Sequence, residues 1–400
     1  MRVVKKYGGS SVATPEKIKN IAKHLIERSR NNEEIVVVVS AMGKTTNALI
    51  ALAKEVVENP NIRELDTLLS TGEQQSIALL SMAINGLGGK AISLTGAQAG
   101  IKTAGIHTKN KIESINIQKI EKELKNGKIV IVAGFQGINE KGDITTLGRG
   151  GSDTSAVALA AALGCECEIY TDVDGIYSVD PRVYKDAKKI SKISYEEMMQ
   201  MANLGAGVME TRAVEIGKKY GVKIYVGESL GTETGSYICD ASEIIEQKAV
   251  TGISINNNVI MVNLEKFSTY PKNVSILFNA MAKNGVNIDM ISQNDVKDEF
   301  GSMAFTCPAT DDNFLNKAIE EVREFFPQIE VEKRVGVSKI SLVGIGMISN
   351  FGVAAKVFEA LAETNISFHQ CTTSEISISI IIEKENVEKL VEQLAKKFAL

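Results

Sequence analysis

Four scarcities bound the reading of this 400-residue chain. No block of clustered Lys or Arg interrupts a formal charge of −4, which argues against a nucleic-acid or an anionic-membrane surface. One local pocket for a small anion stays compatible with that total. Long apolar runs are missing, and stretches such as Ile35 to Val39 are far too short to span a bilayer. The opening residues, MRVVKKYGGSSVAT, hold no apolar segment followed by a cleavage site, so no signal peptide is expected. Cysteine and histidine are sparse. Cys165, Cys167, Cys239, Cys307 and Cys371 are odd in number and scattered, the pattern of reduced thiols in a cytoplasmic protein. Cys165 and Cys167 form a lone C-x-C, and the histidines are His24, His107 and His369, so no structural zinc site and no protein-held metal are expected. The remainder, 44% hydrophobic and 24% charged, is ordinary globular composition with length for two or three domains.

Against that background one stretch concentrates chemistry: Thr145 to Ala160, TTLGRGGSDTSAVALA. Gly148, Gly150 and Gly151 allow close backbone approach to a ligand, and Ser152, Asp153 and Thr154 are N-cap candidates for a helix beginning near Thr154. A glycine-preceded helix N-terminus is an anion site, and Arg149 adds a forked donor suited to carboxylate or phosphate. Taken by itself, the stretch also describes an exposed glycine-rich turn.

Residues 1 to about 245 alternate short β-rich runs with helical patterns, the mark of an α/β domain with a mostly parallel sheet. Val3-Val4 lead to Gly8-Gly9. A helix is expected from Pro15, capped by Thr14. Ile35 to Ser40 reads as a buried parallel strand running into SAMGKTTNAL. That GKT is not a phosphate-binding P-loop, because Val38 occupies the position of the required earlier glycine. Gly344-Ile345-Gly346 is likewise no dinucleotide fingerprint, since Ser349 stands where the third glycine belongs. In LSTGEQQSIALLSMAI a turn is expected to open a helix whose first turn carries Glu73, where a carboxylate also suits the helix dipole. Ile129 to Ala133 is a further core strand, and Glu168 to Tyr170 leads into TDVDGIYSVDPR. Polar clusters follow Val4, Val39, Val132 and Tyr170, at the carboxyl ends of strands where open α/β sheets bind ligands.

Residues 250 to 400 contain a repeat at an offset of 80. Ile260–Val262 matches Ile340–Leu342, and VSILFNAMAKNGVNI matches AAKVFEALAETNISF, aligning Phe278 with Phe358, Ala280 with Ala360, Ala282 with Ala362 and Val286 with Ile366. Each copy continues into a strand and a closing helix, implying two βαββαβ units.

The motifs KYGGSSV, SAMGKTTNAL, STGEQQS, TTLGRGGSDTSAVALA and YTDVDGIYSVDPR, in this order and followed by the duplicated unit, resemble the aspartate kinases over essentially the whole chain. The resemblance implies an α/β amino-acid-kinase-like three-layer sandwich over 1–245, then two ferredoxin-like ACT regulatory domains over 250–330 and 331–400. It implies ATP-dependent phosphorylation of the L-aspartate β-carboxylate, the opening step towards lysine, threonine and methionine, with Mg²⁺ held mainly by the nucleotide. By the family pattern, Lys6, Tyr7, Gly8, Gly9 and Ser10 cradle the ATP phosphates, Lys6 steadies the transferred group, and Asp153 orients Lys6. Arg149 pairs with the aspartate α-carboxylate and Glu73 with its ammonium, while Ser40 and Thr46 lie near the acceptor carboxylate. Thr171, Asp172, Tyr177, Asp180 and Arg182 match the nucleotide-binding segment. One departure stands out: Gly207 occupies the position of a frequent family lysine, so a nucleotide contact is missing or comes from Arg212 or Lys218.

For regulation, the resemblance makes Asn284 to Asn294 the effector loop of the first ACT domain, with Asn287, Asp289, Met290, Ser292 and Gln293 as contacts and L-lysine as the inhibitor. It also implies a homodimer, or a dimer of dimers, through ACT domains. The alternatives are another amino-acid kinase of the same fold and a non-catalytic ACT amino-acid sensor.

Overall fold

Unbroken β-branched runs set the first part of the fold. Val3-Val4, Ile35–Val39 and Ile129–Ala133 have no polar face, and each lies in the interior of a parallel sheet covered on both sides. The computed structural model describes residues 1–231, 234–245, 248–298 and 300–400, with side chains at all of these except 294–298 and 300. The chain divides into two units. The first comprises Met1–Ile176, Lys189–Ala202 and Gly207–Ile245; the second comprises Tyr177–Lys188, Asn203–Ala206 and Glu246–Leu400.

In chain order the first unit contains β1 (Arg2–Tyr7), α1 (Pro15–Arg30), β2 (Glu34–Val39), α2 (Thr45–Val56), α3 (Ile62–Gly86), β3 (Ala91–Leu94), β4 (Ile129–Ala133) and β5 (Ile144–Thr146). It continues with α4 (Gly151–Leu163), β6 (Glu166–Thr171), β7 (Lys192–Ser194), α5 (Thr211–Tyr220), β8 (Ile224–Glu228) and β9 (Ser236–Cys239). The main sheet runs β7-β9-β8-β6-β1-β2-β4-β3. Its central ladders are parallel, with Val3 opposite both Ile35 and Glu166, and β9 is antiparallel to β8. Ile18, Ile21 and Leu25 of α1 pack with Ile77, Leu80 and Ile84 of α3 on one face, against Val3, Val37 and Val39. Each such aliphatic side chain contributes about 1.5–3 kcal/mol on burial. On the other face α4 contacts β1, β2 and β6. The run Ala156–Ala160 is buried on all sides, which suits a helix of small residues lying close to a sheet. This is the expected three-layer sandwich with a mostly parallel sheet.

Two boundaries differ from the sequence reading. Helix α4 starts at Gly151, not near Thr154, and its N-cap is Gly150 at φ 60° with no side-chain cap. A Cβ at Gly150 would come within 2.4 Å of Glu210, so glycine is required there by both conformation and space. Helix α3 is continuous through Ser70 to Gly72, so Glu73 lies in mid-helix and not in a first turn. Gly72 is present for packing: a Cβ would sit 2.8 Å from that of Ala41.

The second unit contains β10 (Gly252–Phe267), α6 (Pro271–Lys283), β11 (Ile291–Asp298), β12 (Phe300–Pro308), α7 (Asp312–Phe325), β13 (Glu330–Val343), α8 (Val353–Thr364), β14 (Gln370–Thr373), β15 (Ser377–Glu383) and α9 (Val387–Phe398). Its strands form one antiparallel sheet in the order β11-β12-β10-β13-β15-β14. The repeat is visible as two helix-covered cores, one around Phe267, Leu277 and Phe305 and one around Ile340, Val357 and Leu390. The division at 330/331 does not describe how the strands are shared. Gly252 to Asn256 pair with Lys339 to Val343, so the start of β10 completes the later copy, while Met261 to Glu265 pair with Glu330 to Arg334 in the earlier one. Nor does 1–245 hold together as one body. Tyr177–Lys188 belongs with the second unit because Ile253 N–H donates to the Ser178 carbonyl at 2.7 Å and Val179 enters the later core.

Candidate active site

The parallel ladders bring the carboxyl ends of β1, β2, β4 and β6 to one edge, and the polar clusters predicted at these ends meet there. Lys6 and Tyr7, adjacent on β1, face opposite sides of the sheet, as period-two alternation requires. Lys6 is 8% exposed, and its Nζ lies 2.6 Å from Asp153 Oδ1 in the first turn of α4. A Cβ at Gly8 would lie 3.6 Å from that ammonium, so Lys6 stands directly beside the glycine turn. Gly8 N–H donates to the Tyr170 carbonyl at 3.1 Å, and Gly43 N–H to the Gly9 carbonyl at 2.9 Å. Gly9 must be glycine, because a Cβ would sit 2.7 Å from the Ala41 carbonyl oxygen. The loops after β1 and β2 are therefore bonded to each other, and the first of them to the end of β6.

Glu73 of α3 reaches the loop after β2. It is 3% exposed, and its Oε1 accepts from Ala41 N–H at 3.0 Å. Its Oε2 is buried and accepts nothing. Burial pushes its carboxyl up to about 7, against the pull of its backbone hydrogen bonds. A half-satisfied buried carboxylate costs free energy unless a donor, best a cation, arrives to share it. Ser40 and Thr46 are half-buried, Ser40 next in the chain to Ala41 and Thr46 in the first turn of α2. Arg149 is exposed on the turn between Gly148 and Gly150, both at positive φ. On the β6 side, Ser10, Lys17, Thr171, Asp172, Glu228 and Ser229 line a cleft of about 230 Å³. Thr171 Oγ1 donates to Asp172 Oδ1 at 3.0 Å.

The geometry corrects several expectations. The Tyr7 ring is fully buried and stacks on Tyr170 at 5.1 Å, so its side chain is not available to a ligand at the glycine turn. Tyr177, Asp180 and Arg182 fall in the second unit, where Arg182 pairs with Asp180 at 2.7 Å and holds that carboxyl below its usual range. Gly207 is exposed, and neither suggested substitute stands free. Arg212 donates to the Leu147 and Asn110 carbonyls at 2.9 and 3.2 Å, bracing the turn before Arg149, and Lys218 pairs with Glu196 at 2.8 Å. Lys17, Glu228 and Ser229 were missed, although the strand-end rule that found Thr171 applies equally to the ESLG run after Val226.

In the second unit the expected effector residues divide. Asn287 and Gln293 are exposed, and Asp289 pairs with the buried Lys339 ammonium. Ser292 Oγ accepts from Gln370 at 3.0 Å. Met290 is 5% exposed and packs with Val259, Met261, Val337 and Ile381, so it is a core residue and not a ligand contact.

Comparison with known proteins agrees with this architecture. Residues 1–228 match the amino acid kinase family and residues 340–398 an ACT domain. The chain is 45% identical to an aspartokinase of Bacillus sp. (strain MGA3) over 399 residues, covering 100% of this chain and 97% of the relative. It is 44% identical to aspartokinase 2 of Bacillus subtilis (strain 168), covering 100% and 98%. Its fold is that of E. coli aspartokinase III in complex with aspartate and ADP, with a TM-score of 0.84 at 23% identity and full coverage of both chains. The chain thus belongs to the amino acid kinase family and, within it, to the aspartokinases. Among the described residues no helix is long and apolar enough to cross a membrane.

Proposed function

We propose that the chain transfers the γ-phosphoryl group of ATP to the β-carboxylate of L-aspartate, giving 4-phospho-L-aspartate and ADP. A substrate carboxylate oxygen attacks phosphorus while the bond to the ADP oxygen breaks, so the protein supplies position and charge and no nucleophile. Lys6 accompanies the transferred group between donor and acceptor, and Asp153, 2.6 Å away, keeps its ammonium aimed across the glycine turn. The amides of Gly8, Gly9 and Ser10 cradle phosphate, and the cleft lined by Thr171 and Asp172 takes the rest of the nucleotide. Glu73 receives the substrate ammonium and Arg149 its α-carboxylate, with Ser40 and Thr46 beside the acceptor group. Mg²⁺ brought in by the nucleotide would supply neutralisation of phosphate charge beside Lys6 and the glycine turn.

The observation that carries this reading is Glu73: a carboxylate 3% exposed with one oxygen unsatisfied is a seat for a cation. L-lysine is the proposed inhibitor, acting through the loop of Asn287, Asp289, Ser292 and Gln293. The T-state structure of E. coli aspartokinase III contains lysine and aspartate. Copies of the chain would join through the second unit as a homodimer or a dimer of dimers.

The test is ADP release from ATP and Mg²⁺ with L-aspartate as acceptor, with and without L-lysine. Aspartate-dependent turnover suppressed by lysine is expected. Turnover indifferent to lysine removes the effector assignment alone, and no turnover with aspartate overturns the kinase reading.

A further inference from the structure

Seven residues before Glu73, on the same buried face of α3, lies a second acidic side chain that the phosphoryl-transfer scheme does not use. Asp66 has no exposed surface, and every bond it makes leads to the segments flanking Arg149. Its Oδ1 accepts from Thr146 Oγ1 at 2.5 Å, and Thr146 is the last residue of β5, three before Arg149. Both carboxylate oxygens lie 3.1 Å from the Thr108 amide. Oδ2 lies 2.6 Å from His107 Nδ1, and since a carboxylate only accepts, the shared hydrogen sits on that nitrogen. Segment 107–110 is in turn laid along the Arg149 turn. Asn110 N–H donates to the Thr146 carbonyl at 3.1 Å, a Cβ at Gly148 would lie 3.1 Å from the Thr108 carbonyl oxygen, and Arg212 ties Asn110 to Leu147.

We propose that Asp66 is a positioning residue for the amino-acid substrate: through Thr146, Thr108 and His107 it sets the separation between the Glu73 carboxylate and the Arg149 guanidinium. The proposal rests on the roles given above to Glu73 and Arg149. An α-amino acid presents its ammonium and carboxylate at a fixed spacing, so the two receiving charges must be held at a matching one. Glu73 is held by α3, and seven residues of helix place Asp66 about 10 Å away along the axis. Arg149 sits on a turn between two glycines at positive φ, with no regular structure of its own. Asp66 is the fully buried polar link between these two supports; the Arg63–Asp143 pair that also joins them lies at the surface. Apolar packing would join a helix to a loop at less desolvation cost; a fully buried, fully bonded carboxylate trades that cost for a single geometry.

The scheme predicts a selective defect, read by steady-state kinetics on the full chain. Asp66→Asn turns one acceptor into a donor facing donors, and KM for aspartate is expected to rise roughly tenfold or more while KM for ATP moves less than about twofold. His107→Phe should shift aspartate KM in the same direction, and His107→Asn, which offers an amide N–H near the Nδ1 position, should restore most of it. If Asp66→Asn does not yield folded protein, Thr146→Val, which deletes one bond at nearly constant volume, is read the same way. An unchanged aspartate KM, or equal rises in both KM values, overturns the proposal. Arg149→Ala separates the two levels. If it raises aspartate KM and Asp66→Asn does not, positioning by Asp66 fails while the substrate site stands; if it leaves aspartate KM unchanged, the site assignment and the proposal fall together.

Discussion

Replacing Glu73 by Gln should make the unliganded protein more stable and the enzyme worse, and the size of the first effect follows from the structure. The carboxyl rises from its ordinary value of 4.5 to about 7 because burial disfavours its charge. A tenfold change in the protonation equilibrium corresponds to about 1.4 kcal/mol, so the ionised form weighs against folding by about 3 kcal/mol. The sign is that of a raised acid: between pH 4.5 and 7 the folded protein holds the proton and the unfolded chain releases it, so stability falls as pH rises through this window and is flat above it. Glutamine keeps the acceptor for Ala41 N–H and carries no charge. At about pH 8, Glu73→Gln is therefore expected to gain up to about 3 kcal/mol, or roughly 6–12 °C in Tm for a domain of this size, and close to nothing at about pH 4.5. Saturating aspartate should stabilise the wild type more than the variant at the higher pH, because the ammonium neutralises the buried charge only in the former. Calorimetric unfolding at the two pH values, with and without aspartate, checks this. Equal Tm values at the higher pH, or equal stabilisation of both proteins by aspartate, would refute the reasoning.

Three further outcomes follow from other contacts. Gly9→Ala places a Cβ 2.7 Å from the Ala41 carbonyl oxygen; the loops after β1 and β2 must part, costing about 1–3 kcal/mol in urea unfolding and raising KM for ATP. Glu168→Gln leaves the ammonium of Lys5, which has no exposed surface, without its directly bonded partner, and should destabilise the first unit by about 3–5 kcal/mol in the same assay. Asp289→Ala frees the buried Lys339 ammonium and removes the proposed ammonium acceptor of the effector loop; inhibition titrations with lysine should flatten, and an unchanged curve takes Asp289 out of the site.

Much of this was legible in the sequence, and what was not has identifiable causes. Strand ends could be read where parallel strands buried on both faces are continuous apolar runs, so Val39 and Val132 marked the ends of β2 and β4 to within a residue, as Tyr170 did for β6; β1 instead runs three residues past Val4 to Tyr7, because Lys5 and Lys6 are held in the strand by ion pairs with Glu168 and Asp153. Thr14 and Pro15 marked the start of α1, and Thr14 Oγ1 does accept from Lys17 N–H at 3.3 Å. Glycine misled in both directions. Gly72 suggested a turn and instead serves the contact with Ala41; Gly151 was placed before a helix that it opens. Both decisions are made by tertiary neighbours that local propensity does not contain. Motif membership also hid direction: Tyr7 lies inside KYGGSS but alternates away from Lys6, and Met290 lies inside the effector loop but fills a core. Asp66 escaped because an isolated aspartate in a helix reads as surface until its partners, 41, 42 and 80 residues on, are brought to it.

The sharing of β10 and β13 determines how the second unit can be taken apart. Topologically the earlier copy is an insertion in the later one, whose fourth strand, Gly252 to Asn256, precedes the insertion in the chain. A fragment beginning at residue 331 would lack that strand and expose the backbone of Lys339 to Val343 as a raw edge, open to pairing with any extended chain. The complementary fragment, ending at 330, would carry the orphan strand and lose the β13 partners of Met261 to Leu264. The two copies are thus one object for synthesis, for unfolding and for inheritance: neither can be exchanged with a foreign module at the point where the repeat divides, and a graft must cut before residue 252.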